Sequence, residues 1–163
     1  MVVNSSPIIA LGKAGRLELL RGLFGTVTIT EQVYTEIMAK PEREEAIALK
    51  RAREAGTWIT VERVKKLDSG LGAGEASSLS LAFKRKEVLI ADDRKAAFVS
   101  STLGIECHGT LYLVMLAFKL KVLRNKEEAI TLVNTLLKGG FYLGSDSLAR
   151  FYELLNEKIE KKL

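Results

Sequence analysis

The 163-residue chain has one cysteine, Cys107, and one histidine, His108. A lone cysteine cannot close an internal disulfide, and one Cys with one His cannot assemble a zinc set. Any metal must therefore be held by oxygen. No apolar run approaches the roughly 20 residues that cross a bilayer, and Met1-Val2-Val3 carries no basic leader. The expectation is a cytoplasmic protein without signal peptide or membrane anchor. Glutamine also occurs once, beside many Lys, Arg and Glu, a balance that hints at a heat-adapted source.

What is present is ordinary for one globular domain: 47% hydrophobic and 28% charged residues, too apolar for a disordered chain. No repeat, low-complexity tract or linker appears, so residues 1–163 are expected to form a single domain. The net charge of +5 is scattered along the chain. It permits an acidic partner without arguing for one.

The hydrophobic pattern alternates between strand-like and helix-like segments. Val2-Val3 runs into Asn4-Ser5-Ser6; Ser6 and Pro7 read as a helix start. Ile8, Ile9, Leu11, Leu17, Leu19 and Leu20 continue one helix to Gly22 or Gly25. Residues 26–29 alternate as a strand, and Thr30 caps a helix with Val33, Tyr34, Ile37 and Met38 that ends before Pro41. Residues 42–55 read as a helix and 57–61 as a strand. Residues 65–74 form a flexible glycine-rich loop leading Glu75 into a helix with Ala76, Leu79, Ala82 and Phe83. Residues 88–91 read as a buried parallel strand, followed by Asp92, Asp93 and a helix closed by Gly104. Residues 105–108 suggest another strand, and Gly109-Thr110 opens a helix over 111–119. Two helices follow, 126–138 behind Asn125 and 146–161 behind Ser145; the second carries Leu148, Phe151, Tyr152, Leu155 and Ile159. This rhythm predicts an α/β fold: three α/β/α layers around a parallel sheet of four or five strands, joined by right-handed crossovers.

In open sheets of this kind, ligands collect beyond the carboxyl ends of the strands. Two such ends bear oxygen, at Asn4 and at Asp92-Asp93. One aspartate can cap the following helix, which leaves the other unused. Two carboxylates about 4 Å apart repel by about 4 kcal/mol at an effective dielectric of about 20, so a cation, Arg94 or Lys95 is expected nearby. Ser6 serves the first helix cap and frees Asn4 to face the crevice. Glu75 heads an apolar stripe, where a carboxylate rarely lies without a partner. It either complements the helix dipole or belongs to a site, and spacing leaves those alternatives level. Glu36 falls on a polar flank, where periodicity favours an ordinary solvated side chain.

With these residues laid out, the chain resembles the PIN-domain family, in particular a branch akin to the VapC-type toxin ribonucleases. The resemblance is carried by Val2-Val3-Asn4-Ser5-Ser6-Pro7-Ile8-Ile9-Ala10-Leu11, Val33-Tyr34-Thr35-Glu36-Ile37, Gly72-Ala73-Gly74-Glu75-Ala76, Leu89-Ile90-Ala91-Asp92-Asp93-Arg94-Lys95-Ala96 and Gly109-Thr110-Leu111. It covers about residues 1–121 and leaves the C-terminal helices, about 122–163, outside the shared core. It implies a PIN-like sheet whose acidic pocket binds Mg²⁺ or Mn²⁺ and cleaves single-stranded RNA. The implied catalytic set is Asn4, Glu36, Glu75, Asp92 and Asp93, with Asn4, Glu75, Asp92 and Asp93 as metal ligands and Ser6 and Thr110 as neighbours. It also implies a small antitoxin partner and a homodimer.

The departure from the family pattern is Asn4, where an aspartate is usual; one lost negative charge weakens a site for a hard cation. The rival expectation is a catalytically weakened PIN-like nucleic-acid-binding or regulatory module. A phosphorylated receiver domain has a similar acidic pocket, but wants paired acids at the first strand, where this chain has Asn4 and serines. In the nuclease reading, Lys65, Lys66, Arg94 and Lys95 are candidates to grip phosphates, with the loop over 70–74 flexing above them.

Overall fold

The computed structural model describes residues 1–65 and 70–157. Five parallel strands form one sheet in the order β3-β2-β1-β4-β5, with β1 at Val2–Val3, β2 at Val27–Thr30, β3 at Ile59–Glu62, β4 at Leu89–Ile90 and β5 at Cys107–His108. Chain order reverses at β1, which pairs Val2 with Thr28 on one side and with Leu89 on the other. That switch point is where an open α/β sheet leaves a crevice.

Alternation along the strands assigns the two faces. Val2, Leu89 and Ala91 pack with Leu79, Leu81 and Ala82 of α5 (Ala73–Arg85) and Ala96 of α6 (Arg94–Thr102). Val3, Ile90, Val27 and Ile29 point the other way. There they meet Ile8 and Leu11 of α1 (Ser5–Lys13), Leu20 of α2 (Glu18–Phe24), Leu49 of α4 (Glu44–Glu54) and Leu113 of α7 (Thr110–Lys119). The sheet is thus sandwiched between helices, the α/β architecture expected from the strand-helix rhythm. Leu132 and Leu136 of α8 (Lys126–Lys138) and Phe151 and Leu155 of α9 (Ser145–Asn156) join the larger cluster. No described helix is long and apolar enough to cross a membrane.

Several local expectations change. The single first helix is two, α1 and α2, because the chain turns at Gly15 with φ of +63°, a conformation that glycine adopts without steric cost. Asn4, not Ser6, occupies the N-cap of α1, and its side chain makes no capping hydrogen bond. Ser6 lies inside the helix. The segment expected to flex over 70–74 is helical from Ala73, so Glu75 is the third residue of α5. On that helix Phe83 is half exposed, whereas Ser77, Ser78 and Ser80 are buried. The inward stripe is partly hydroxyl because Ser77, Ser78 and Ser80 each find a hydrogen-bond partner, in Thr30, Asn4 and the Lys65 carbonyl. Lys66 and Ile159 lie outside the described residues. Two other caps follow the sequence: Thr30 Oγ accepts from Val33 N–H at the start of α3 (Glu31–Met38), and Asn125 Oδ1 accepts from Glu128 N–H. Ser145, expected to cap the last helix, is instead the first residue of α9, behind Gly144.

Candidate functional site

Asn4, Glu36, Glu75, Asp92 and Thr110 all stand at the carboxyl side of the sheet, because each follows a strand or opens the helix after one. Asn4 is 1% exposed at the end of β1, and its backbone N–H donates to Ile90 O at 2.9 Å, locking it beside the end of β4. Its side-chain oxygen accepts from the Ser78 hydroxyl at 3.2 Å. Thr30 Oγ lies 2.7 Å from Ser77 Oγ. Two buried hydroxyl contacts therefore fasten the first turns of α5 to the ends of β1 and β2. Since buried polar atoms cost free energy unless paired, these serines fix where Glu75 sits.

Close backbone approach brings the next two acids in. A side-chain carbon on Gly74 would fall 2.7 Å from Glu36 Oε2 and 3.7 Å from Asn4 Oδ1, so any larger residue there would push the Glu36 carboxylate away from its present position beside α5. A carbon on Gly72 would collide with the Glu75 carboxylate, which folds back over the helix N-cap. In this position the positive end of the helix dipole favours a negative charge. Burial raises the Glu36 carboxyl above its usual value; a Ser5 hydroxyl contact opposes the rise and the Glu75 charge adds to it. Glu36 and Glu75 thus feel each other as like charges. Glu36 is largely exposed as a residue, so its ionisation is perturbed at the mouth of the crevice rather than in a dry interior.

The adjacent aspartates divide their work. Asp93 caps α6, its Oδ1 accepting from Ala96 N–H at 2.8 Å. Asp92 is held instead by Thr110, whose N–H donates to Oδ1 at 2.6 Å and whose hydroxyl donates to Oδ2 at 2.7 Å. Its own N–H donates to Ser6 Oγ at 3.4 Å, which ties the β4 end to α1. Gly109 leaves room, since a side-chain carbon there would come within 2.8 Å of Asp92 Oδ1. Of the cations expected to relieve the aspartate pair, Lys95 is turned elsewhere, its Nζ donating to Gly70 O at 2.6 Å. Among the described residues, no ion pair involves Glu36, Glu75, Asp92 or Asp93.

Among the described residues, no three Asp, Glu, His or Cys side chains form a ready-made metal group. The structure brings Asn4, Glu36 and Glu75 together, joins Asp92 to that corner through Ser6, and turns Asp93 to capping. The donors are all oxygens, and none of the described carboxylates among them is in an ion pair with a described lysine or arginine. Such a set fits Mg²⁺ or Mn²⁺, since a hard ion held by one or two carboxylates keeps several waters. Sequence reasoning missed Ser5, Gly74 and Ser78. The signals were Gly72 and Gly74 just ahead of Glu75 and the serines following it, although serine rarely advertises burial.

The model of the family DUF3368, described as a PIN domain, matches residues 1–157. The chain belongs to the PIN-domain family. A PilT N-terminus domain protein from the hyperthermophilic archaeon Sulfolobus solfataricus P2 has a similar fold, with a TM-score of 0.52. The two are 22% identical, and the match covers 74% of this chain and 95% of that one. No curated protein matches the sequence significantly. This PIN-domain chain accordingly has the nuclease-type fold of its family, and PIN domains generally use divalent metal ions.

Proposed function

We propose that the protein is a metal-dependent endoribonuclease acting on single-stranded RNA, with its reaction centre at Asn4, Glu36, Glu75 and Asp92. The observation that carries this reading is the meeting of Glu36 and Glu75 beside buried Asn4 at the sheet switch point, without a described cation to balance them. Like charges held together are costly, and a divalent ion offsets that cost. Glu75 and Asp92 are the proposed ligands, Asn4 contributes a neutral oxygen, and Glu36 supports the neighbouring waters. When bound, the ion neutralises charge on the phosphate and lowers the pKa of a water.

The chain's own residues supply positioning. Thr110 occupies both Asp92 oxygens and so fixes the carboxylate plane. Ser78 holds the Asn4 amide with its oxygen as acceptor, which turns the amide nitrogen away from Ser78. Burial and the Glu75 charge raise the Glu36 pKa, and a divalent ion beside them would lower it, so ion binding and Glu36 ionisation would be linked. Asp93 serves mainly as a cap and is removed from the ligand set in this reading.

The test is cleavage of a mixed single-stranded RNA pool by pure protein with Mg²⁺ or Mn²⁺. Glu75→Gln and Asp92→Asn should each lower the rate by at least about a hundredfold, the scale on which loss of one charge-stabilising group acts. Undiminished activity in both variants would assign the cleavage to a contaminant. As the toxin of a toxin–antitoxin pair, the wild type should arrest growth on expression while Glu75→Gln does not, and co-expression of a small antitoxin should relieve the arrest. The proposed homodimer rests on the family resemblance alone.

A second reading is favoured by Asn4 itself: a neutral residue at the first strand end suits a PIN-like module that binds RNA and cleaves poorly. In that case wild-type protein binds RNA but leaves it intact at every Mg²⁺ and Mn²⁺ concentration.

A further inference from the structure

Beside Asp92, on the side away from Asn4, lies a cavity of about 360 Å³ between α6, the β5–α7 junction and the connection from α8 to α9. Its volume falls within the range of about 300–1,000 Å³ typical of small-molecule sites. Asp92, Arg94, His108, Tyr112, Phe141 and Tyr142 are among its lining residues. The His108 and Tyr112 rings stack at 3.8 Å between centroids and 10° between planes. Glu106 Oε1 lies 2.6 Å from His108 Nε2 and steadies that ring. Across the cavity, Tyr142 is 83% exposed, so its ring is open to a stacking partner.

We propose that this cavity is a nucleobase subsite, which takes an unpaired base of single-stranded RNA next to the phosphate at the acidic corner. The inference rests on the nuclease reading above and adds where the strand runs. Three features favour a base over a peptide segment. The lining offers aromatic faces, on which any base stacks, instead of a groove of aliphatic side chains. Arg94 stands at the same wall and supplies a cation for a flanking phosphate. Asp92 belongs both to this cavity and to the acidic corner, so a base here and a phosphate there are one short step along a strand. Much of the far wall, Phe141 to Ser147, comes from the connection between α8 and α9 and the start of α9, which lies within the residues matched by the family model although the sequence resemblance covers only about residues 1–121.

The test measures binding of a short single-stranded RNA in EDTA, where cleavage cannot interfere, against an abasic oligonucleotide of equal length. Tyr142→Ala should weaken binding about tenfold, and Tyr112→Ala by a similar factor, from the loss of one stacked base. Tyr142→Phe and Tyr112→Phe should retain wild-type affinity, and the abasic strand should bind weakly and be indifferent to all four changes. Because Tyr142 is so exposed, its loss cannot be mistaken for unfolding. If wild-type protein cleaves RNA with Mg²⁺ but Tyr142→Ala and Tyr112→Ala bind with unaltered affinity, the subsite is overturned and the nuclease reading stands. If wild-type protein neither binds nor cleaves RNA, both are overturned.

Discussion

The two ends of α5 are built on opposite electrostatic rules. At its C-terminal end, Arg85 donates to Thr28 Oγ at 3.1 Å, pairs with Glu62, and stands 3.7 Å from Glu87, which also receives the amino terminus. Every acid in that cluster has a cation. At the N-terminal end, Glu75 meets Glu36 and no described cation meets either. A single helix thus spans a neutralised corner and an unbalanced one. Partly exposed ion pairs of the Arg85 kind stabilise by roughly 1 kcal/mol or less each, so the C-terminal cluster is modest scaffolding. Crowded carboxylates give no such return, and the proposed divalent ion would offset their repulsion.

The sharpest way to break the contrast is to add charge at the unbalanced end. Asn4→Asp should raise divalent affinity on the order of tenfold, measured by calorimetric titration, and should lower Tm in EDTA because a further acid joins Glu36, Glu75 and Asp92. No change in either would remove position 4 from the site. Next come the two aspartates. Thr110→Val deletes the hydroxyl that holds Asp92 and should cost about 1–2 kcal/mol in denaturant unfolding, with weaker metal binding. Asp93→Ala should cost about 1 kcal/mol as a lost cap while metal binding is unchanged. If Asp93→Ala abolishes metal binding, the division of roles drawn above is reversed.

At the paired end, Arg85→Ala should destabilise by roughly 1 kcal/mol or less per broken pair, less so at high salt, and leave metal affinity alone. The smallest effect concerns pH. Because the folded state raises the Glu36 pKa, its contribution favours folding below the usual carboxylate range and is lost as pH rises through the raised value. Glu36→Gln should therefore flatten the decline of metal-free stability above that range and give a small rise in Tm at neutral pH. Identical pH profiles for variant and wild type would mean that Glu36 is not crowded in solution.

Much of this contrast was legible before the fold was known. Apolar runs ending in oxygen-bearing residues located the carboxyl edge of the sheet, because a buried parallel strand leaves little else to read. One of Asp92 and Asp93 caps a helix, as their position between a strand and a helix requires, but nothing in the sequence distinguishes the two. That choice depends on Thr110, 18 residues away in sequence, reaching one carboxylate and not the other. Glu36 was ambiguous because helical periodicity reports the face toward the core, whereas this acid gains its neighbours from the approach allowed by Gly74. The buried serines of α5 escaped notice since a hydroxyl satisfied by Asn4 or Thr30 looks, in one dimension, like any polar residue. The break at Gly15 was missed because leucines on both sides continue a helical spacing across it.

The most direct test of the unbalanced corner is anomalous scattering from a crystal soaked in Mn²⁺. The account predicts a peak bounded by Asn4, Glu75 and Asp92, absent in Glu75→Gln. Saturating Mn²⁺ with no peak at that corner, or one that persists unaltered in the variant, would contradict it.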